Sequence, residues 1–193
     1  WAELKPQHIR QLTPGNNPVQ GVTDQLIYAS CLTNEPKYYD DALILKPAVS
    51  ADFDWCRKAL LEAYQHSWSK IPVLSGSLCS VDNEDLSNHI LKGHVYIVHD
   101  QGDRVGLIIC ERGEVAFLMG WRISEEVILP AFRGHSLASR AQRLLRNHLY
   151  RFSREACLVT GTILPGNLPS IRTAIKAGRT CVLRYEFLPV IFD

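Results

Sequence analysis

Val127-Ile128-Leu129-Pro130-Ala131-Phe132-Arg133-Gly134-His135-Ser136-Leu137-Ala138-Ser139 is the stretch on which the reading of this chain turns. Three apolar residues run into a proline, which closes a strand. Ala131–Ser139 then reads as a loop of small and polar residues. Leu137, Ala141, Leu144, Leu145, Leu149 and Phe152 follow at three- and four-residue intervals and form one apolar face of a long helix. A loop that leaves a strand and opens a helix turns several unpaired N–H groups toward one point, where the helix dipole adds positive potential. Small residues let a phosphate come close to the backbone. Arg133–Ser139 meets these requirements, and the helix behind it carries Arg140, Arg143, Arg146, Arg151 and Arg154 off its apolar stripe. The expected role is an anion site. On the residues alone, an Arg-Gly turn ahead of a solvated basic helix fits equally well. Neither G-x-x-x-x-G-K-[ST] nor G-x-G-x-x-G occurs here.

Upstream, Ala42–Leu45 is a short strand stopped by Pro47. Asp52 stands where a cap belongs, ahead of Phe53, Cys56, Leu60, Leu61 and Tyr64 at helical spacing. A second helix is expected from an Asp82 cap through Leu86 and Ile90 to Gly93. His94–His99 and Arg104–Cys110 pair across the turn Asp100-Gln101-Gly102-Asp103, and Val115–Ile123 and Glu126–Leu129 are further strands. Downstream come a strand at Cys157–Leu164 and a turn at Pro165-Gly166-Asn167. A helix at Pro169–Ala177 closed by Gly178 and a last strand at Cys181–Pro189 complete the order. That order is mixed α/β. Residues 1–40 are rich in Pro, Gly, Asn and Gln, with a breaker cluster at Thr13–Pro18. They read as an N-terminal extension or linker holding one short helix or strand at Asp24–Leu32, which leaves residues 41–193 as the domain.

The 193 residues suffice for one domain with a buried core, and 46% apolar with 21% charged residues is ordinary for a globular protein. Lys plus Arg (21) balances Asp plus Glu (20), so no net field draws the chain to nucleic acid or to an anionic membrane. No run reaches the roughly 18 apolar residues of a membrane span, and no signal-peptide pattern opens the chain. The chain starts at Trp1 and its one methionine is Met119, so a processed form or a piece of a longer, multidomain chain is expected. Six cysteines are scattered without a CxxC pair, which reads as buried reduced thiols in a cytoplasmic protein. His89, His94 and His99 recur every five residues, a spacing that suits neither one helix face nor one strand face, so no metal site is expected. Ser75-Gly76-Ser77 lacks the G-x-S-x-G elbow, and no hydrolase triad can be argued.

Val127-x-x-Pro130-x-x-Arg133-Gly134-His135-x-Leu137-Ala138-Ser139 is similar to the coenzyme A-binding motif of the GNAT acetyltransferases, with Ser136 in place of the usual middle glycine. Asn167-x-x-Ser170-x-x-x-Ala174-x-x-x-Gly178 resembles the spacing of that family's second signature. The two motifs cover roughly residues 94–190. The resemblance implies a GNAT-like α/β fold, a central sheet splayed into a V and flanked by helices, with acetyl-CoA or another acyl-CoA in the cleft and no metal. It implies that the backbone of Glu126–Leu129, Ile128 and Leu129 included, takes the pantetheine. Arg133, Gly134, His135, Ser136, Leu137, Ala138 and Ser139 would then hold the pyrophosphate, with Asn167 and Ser170 on the same side.

Acyl transfer to an amine needs a base for the amine and a proton donor for the leaving thiolate. Glu125 and Glu126 stand at the family's central strand, and alternation allows one of them to face the substrate; Glu126, nearest Val127–Leu129, is the first candidate base and Glu125 the second. The family's acid is often a tyrosine seven residues after the asparagine, where this chain has Ala174; Tyr185 is the candidate substitute. Arg179 stands where an aromatic is usual. Trp55, Tyr64 and Trp68 are core residues that could also line the acceptor side. The leading expectation is an N-acyltransferase acting on a small-molecule or peptide amine by direct attack in a ternary complex, as a homodimer or within a parent chain. The alternatives are a GNAT-like decarboxylase or acyl-loading domain of a multidomain synthase, and a non-catalytic acyl-CoA-binding module.

Overall fold

The computed structural model of the protein describes residues 22–32, 40–153 and 157–187. Thr13–Pro18, Arg154 and Leu188–Pro189, all read above, lie outside the described residues. Strands β1 (Val22–Cys31), β2 (Leu43–Pro47), β3 (Val95–Asp100), β4 (Asp103–Val115), β5 (Leu118–Ile128), β6 (Leu158–Ile163) and β7 (Thr180–Phe187) join one sheet in the order β2-β3-β4-β5-β6-β1-β7. Neighbours are antiparallel except β5 and β6, which run parallel.

Helices α1 (Phe53–Lys70) and α2 (Asn83–Leu91) cover one face, where Cys56, Leu60, Tyr64, Leu86 and Ile90 pack on Val95, Ile97, Leu107 and Ile109. Helix α3 (Leu137–Tyr150) covers the other, burying Leu137, Ala141, Leu145 and Leu149 against Val98, Ile108, Ile123 and Ile128. At about 1.5–3 kcal/mol per buried leucine, that stripe is what holds the helix on the sheet. Phe152, counted in the stripe from its spacing, lies beyond the helix end and is exposed. Helix α4 (Leu168–Lys176) lies beside α3, which reaches it through Arg143 Nη2 on the Lys176 carbonyl and Arg146 Nη1 on that of Ala177.

The composition of residues 1–40 misread part of that segment. Val22–Cys31 is an inner strand of the sheet, pairing Leu26–Cys31 with β6 and Val22–Ala29 with β7. Ile27, Tyr28 and Ala29 are buried. Two other readings change. Val115–Ile123 and Glu126–Leu129 belong mostly to one strand, β5, after a turn at Ala116-Phe117. Asp52 does not cap α1 with its side chain; its carboxylate accepts from the Val49 N–H and pairs with Arg104, and a 3-10 turn leads into the helix. Asp82 does cap α2, accepting from the Asp85 N–H at 2.8 Å. Of the cysteines, Cys56, Cys110 and Cys157 are buried but Cys31, Cys79 and Cys181 are exposed, all as free thiols. Gly93, at φ +70°, reverses the chain after α2 and lays His94 beside His89, contrary to what the five-residue spacing led one to expect. No described helix is long and apolar enough to cross a membrane.

The parallel contact between β5 and β6 spans only Gly120–Leu158, Trp121–Val159 and Arg122–Thr160. Gly120 permits it, because a Cβ there would stand 2.2 Å from the Leu158 carbonyl oxygen. Beyond Arg122 the strands part, and a bulge at Ser124 shifts the β4–β5 register just where the split begins. The sheet is a V, as the resemblance implied.

Candidate functional site

The mouth of the V is a cavity of about 630 Å³ between β5, β6 and the helices. It gathers Glu125 to Ile128, Arg133, Gly134, Ser136 to Ser139, Asn167 and Ser170, so most of the residues singled out from sequence share one site. Leu129, His135 and Tyr185 are not in its lining. Leu129 commits its N–H to the Val105 carbonyl, and Tyr185 sits exposed on β7, paired with Gln25.

At one end of the cavity the loop after β5 delivers its amides. Gly134 (φ +93°) and Ser136 (φ +58°) are both left-handed. Among the described residues, no backbone acceptor takes the N–H groups of Gly134, His135, Ser136, Leu137, Ala138 or Ser139; the first α3 bond from this region is Arg140 N–H to the Ser136 carbonyl. These donors and the helix dipole make an anion seat. Lys176 adds charge, with Nζ 3.4 Å from Ser136 Oγ. Arg133 does something else. Its guanidinium donates to the carbonyls of Ile128 (2.9 Å) and Ala63 (3.0 Å) and so ties the loop to β5 and α1. Arg140 pairs with Asp40, and Arg143 and Arg146 serve backbone carbonyls, so these α3 arginines act in the fold. Asn167 caps α4, its Oδ1 accepting from the Ser170 N–H at 3.3 Å.

Along the V, Leu129 N–H points to β4, so alternation turns the backbone of Ile128 and Glu126 toward the open side. The Ile128 carbonyl is taken by Arg133, which leaves the Ile128 N–H and the Glu126 peptide groups facing the gap.

The two glutamates face opposite ways, as strand alternation required. Glu125 points to α1: Tyr64 Oη donates to its Oε2 and the Val81 N–H to its Oε1 at 3.0 Å. Burial raises the Glu125 carboxyl above its usual range, and those two donors oppose the rise. Glu126 points to α3, where Gln142 Nε2 donates to its Oε2 at 2.6 Å. Burial pushes Glu126 up to about 7, against the pull of Arg179 and the Gln142 bond. Arg179 is itself buried, reaching under Gly161 where a Cβ would meet its Nη1 at 2.7 Å. Glu126 Oε1 and Arg179 Nε have no hydrogen-bond partner among the described residues.

Tyr64 is the tyrosine in the cavity lining, and burial holds its phenol well above 10 and neutral. Sequence placed it in the core; its spacing on α1 carried no sign of Glu125, 61 residues away. Trp68 supports it edge-on, its Nε1 donating to the Leu78 carbonyl. Lys176 and Gln25 were missed as well, and Gln25 comes from the segment read as an extension. Ala174 is fully buried in a cluster with Tyr28 and Ile163, so a tyrosine would not fit there without displacing its neighbours.

No protein-family model matches this sequence, and no curated protein does. Among solved structures, 82 chains match. A GNAT-family acetyltransferase from Streptococcus agalactiae 2603 is similar with a TM-score of 0.58 at 15% identity, over 72% of this chain and 86% of that one. One from Listeria monocytogenes 4b F2365 gives 0.56 at 13%, over 70% and 85%. An aminoglycoside acetyltransferase from an uncultured soil metagenomic sample, solved with sisomicin, gives 0.52 at 11%, over 80% and 99%. At such identities the likeness speaks to the fold: this chain has the GNAT acetyltransferase fold.

Proposed function

We propose that this chain binds acetyl-CoA or a close acyl-CoA in the V and transfers the acyl group to an amine. The observation that carries the reading is the conjunction, in one cavity, of five loop residues whose N–H groups have no backbone acceptor among the described residues (Gly134 and Ser136–Ser139) and the half-buried carboxylates of Glu125 and Glu126 at the splay. The pyrophosphate rests on Gly134–Ser139 with Lys176 beside it, and the pantetheine amide lies along the open peptide groups of Glu126 and Ile128. The amine approaches from the α1 side, lined by Tyr64, Ser67 and Leu78. There Glu125 removes its proton, held in place by Tyr64 as a positioning residue, and the amine attacks the thioester carbonyl. The tetrahedral adduct collapses with cleavage of the C–S bond, giving the amide and coenzyme A thiolate, which takes its proton from solvent. Glu126, held by the Gln142 amide and within reach of the Arg179 charge, is the second candidate base. The likeness to an aminoglycoside acetyltransferase supports small polyamines as the first acceptors to try, with peptides beside them.

A second reading, binding without transfer, is favoured by one observation. The two positions considered for a thiolate acid supply none, since residue 174 is a buried alanine and Tyr185 lies outside the cavity. Calorimetry with acetyl-CoA should find one site. Gly134→Val, which forces a β-branched residue to φ +93°, should weaken it about tenfold or more in a protein that keeps its circular dichroism. Unchanged affinity there would remove the loop from the site. Thiol release against an amine and peptide panel then separates transfer from binding alone.

A further inference from the structure

His89 lies in the last turn of α2, His94 follows the Gly93 turn, and Glu111 lies on β4; none of the three lines the cavity. Their Nδ1, Nδ1 and Oε2 atoms form a triangle. The two nitrogens are 3.4 Å apart, and the oxygen is 3.9 Å from His89 and 4.0 Å from His94. These separations are too long for good hydrogen bonds, for which about 2.7–3.2 Å is usual. The His–His edge matches the roughly 3.3–3.4 Å between neighbouring ligands of a tetrahedral zinc, and the carboxylate completes the set by closing about 0.5 Å. The point equidistant from the corners of a 3.4, 3.9, 4.0 Å triangle is about 2.2 Å from each, against about 2.0–2.2 Å for zinc to imidazole nitrogen or carboxylate oxygen. The ring centroids are 5.7 Å apart, well beyond the 3.4 Å between the nitrogens, so each ring turns its Nδ1 edge to the other.

We propose that His89, His94 and Glu111 bind a divalent first-row cation of the zinc type, with water in the remaining position. Two imidazoles and a carboxylate are a borderline donor set that suits zinc; three ligands with two nitrogens are a poor match for calcium or magnesium, which take oxygen. The ligands are preorganised. The His94 N–H donates to the His89 carbonyl at 2.9 Å, the Cys110 N–H donates to the His94 carbonyl, and Glu111 Oε1 is held by Arg122, leaving Oε2 toward the imidazoles. An outer group that orients a ligating carboxylate in this way is a common companion of metal sites. With side chains 18–25% exposed, the site is open to solvent on one side. The bound ion clips the end of α2 to β4, and through Arg122 it sits one residue from Ile123, where the V begins to open.

The test uses the full chain with Cys31, Cys79 and Cys181 alkylated, since exposed thiols also take zinc. Titration with zinc alone should show one equivalent and a raised Tm. Cobalt in its place should give the absorption of a low-coordinate nitrogen–oxygen site. His89→Ala and His94→Ala should each weaken uptake at least tenfold and remove the Tm shift; Glu111→Gln, which keeps the shape, decides the matter if a histidine variant does not fold. A wild-type protein that takes up no stoichiometric zinc, or uptake that survives these substitutions, overturns the proposal.

Discussion

Tyr64 and Glu125 meet across 61 residues of chain, and their bond makes a directional claim about pH. Burial raises the Glu125 carboxyl while the Tyr64 hydroxyl, donating to the ionised form, lowers it. Tyr64→Phe removes the lowering contribution, so the acidic limb of kcat/KM should move to higher pH while acetyl-CoA affinity holds. A limb that stays put would show that Glu125 is not the titrating base. Glu125→Gln should then cost about a hundredfold or more in kcat, as loss of a general base does. Glu126 makes a claim about stability. Its carboxyl titrates near 4.5 when unfolded and about 7 when folded, so the folded state holds the proton more tightly. That contribution is complete below pH 4.5 and is lost as the pH rises through 7, about 2.5 units at roughly 1.4 kcal/mol each, or on the order of 3 kcal/mol. Glu126→Gln should flatten the stability–pH profile between pH 4.5 and about 7; any offset from leaving Arg179 without its carboxylate is constant over that range. Parallel denaturation profiles for the two proteins would sink the argument.

At the scale of the element, the loop that opens α3 carries an unusual residue. Ser136 sits at φ +58°, where a side chain costs roughly 1–2 kcal/mol that glycine avoids. The middle position of the motif is therefore one that glycine would fill without strain. Ser136→Gly should raise stability by up to about 1 kcal/mol, after the entropy glycine adds to the unfolded chain, and should leave the amides able to bind phosphate. Chemical denaturation measures the first and acetyl-CoA calorimetry the second. A clear loss of affinity would mean that the hydroxyl, beside Lys176, itself contacts the ligand.

Across the whole molecule, the sheet depends on its earliest described strand. β1 lies between β6 and β7; among the described residues β7 has no other neighbour in the sheet, and β6 is held to β5 by three residue pairs. Removing residues 1–31 would uncover the open edge of β6, leave β7 unpaired and strip Ile27 and Tyr28 from the core. The truncated chain should fail to give folded, soluble protein, whereas a dispensable extension would leave the melting curve unchanged. Pairing Val22–Ala29 with Thr180–Phe187 also closes nearly the whole chain into one loop, so refolding should be slow for a domain this size.

Local order in the chain determined a great deal. The apolar stripe Leu137–Leu149, the Asp82 cap, the Gln101-Gly102 turn and the strand–loop–helix at Val127–Ser139 were all legible, because each depends on residues within a turn or two of one another. The opposed directions of Glu125 and Glu126 were legible for the same reason. Tertiary structure alone decided which distant groups meet. Val22–Cys31 lacked the look of a core strand, since its place depends on β6 and β7, more than 120 residues downstream. Tyr64 reached Glu125 only when α1 packed on β5, and Arg133 turned from the expected ligand side toward α1. His89 and His94 were set aside on a periodicity argument that holds within one element; they sit on either side of the Gly93 turn, and it is the reversal of the chain there, with β4 laid alongside, that brings two imidazoles and Glu111 around a single point.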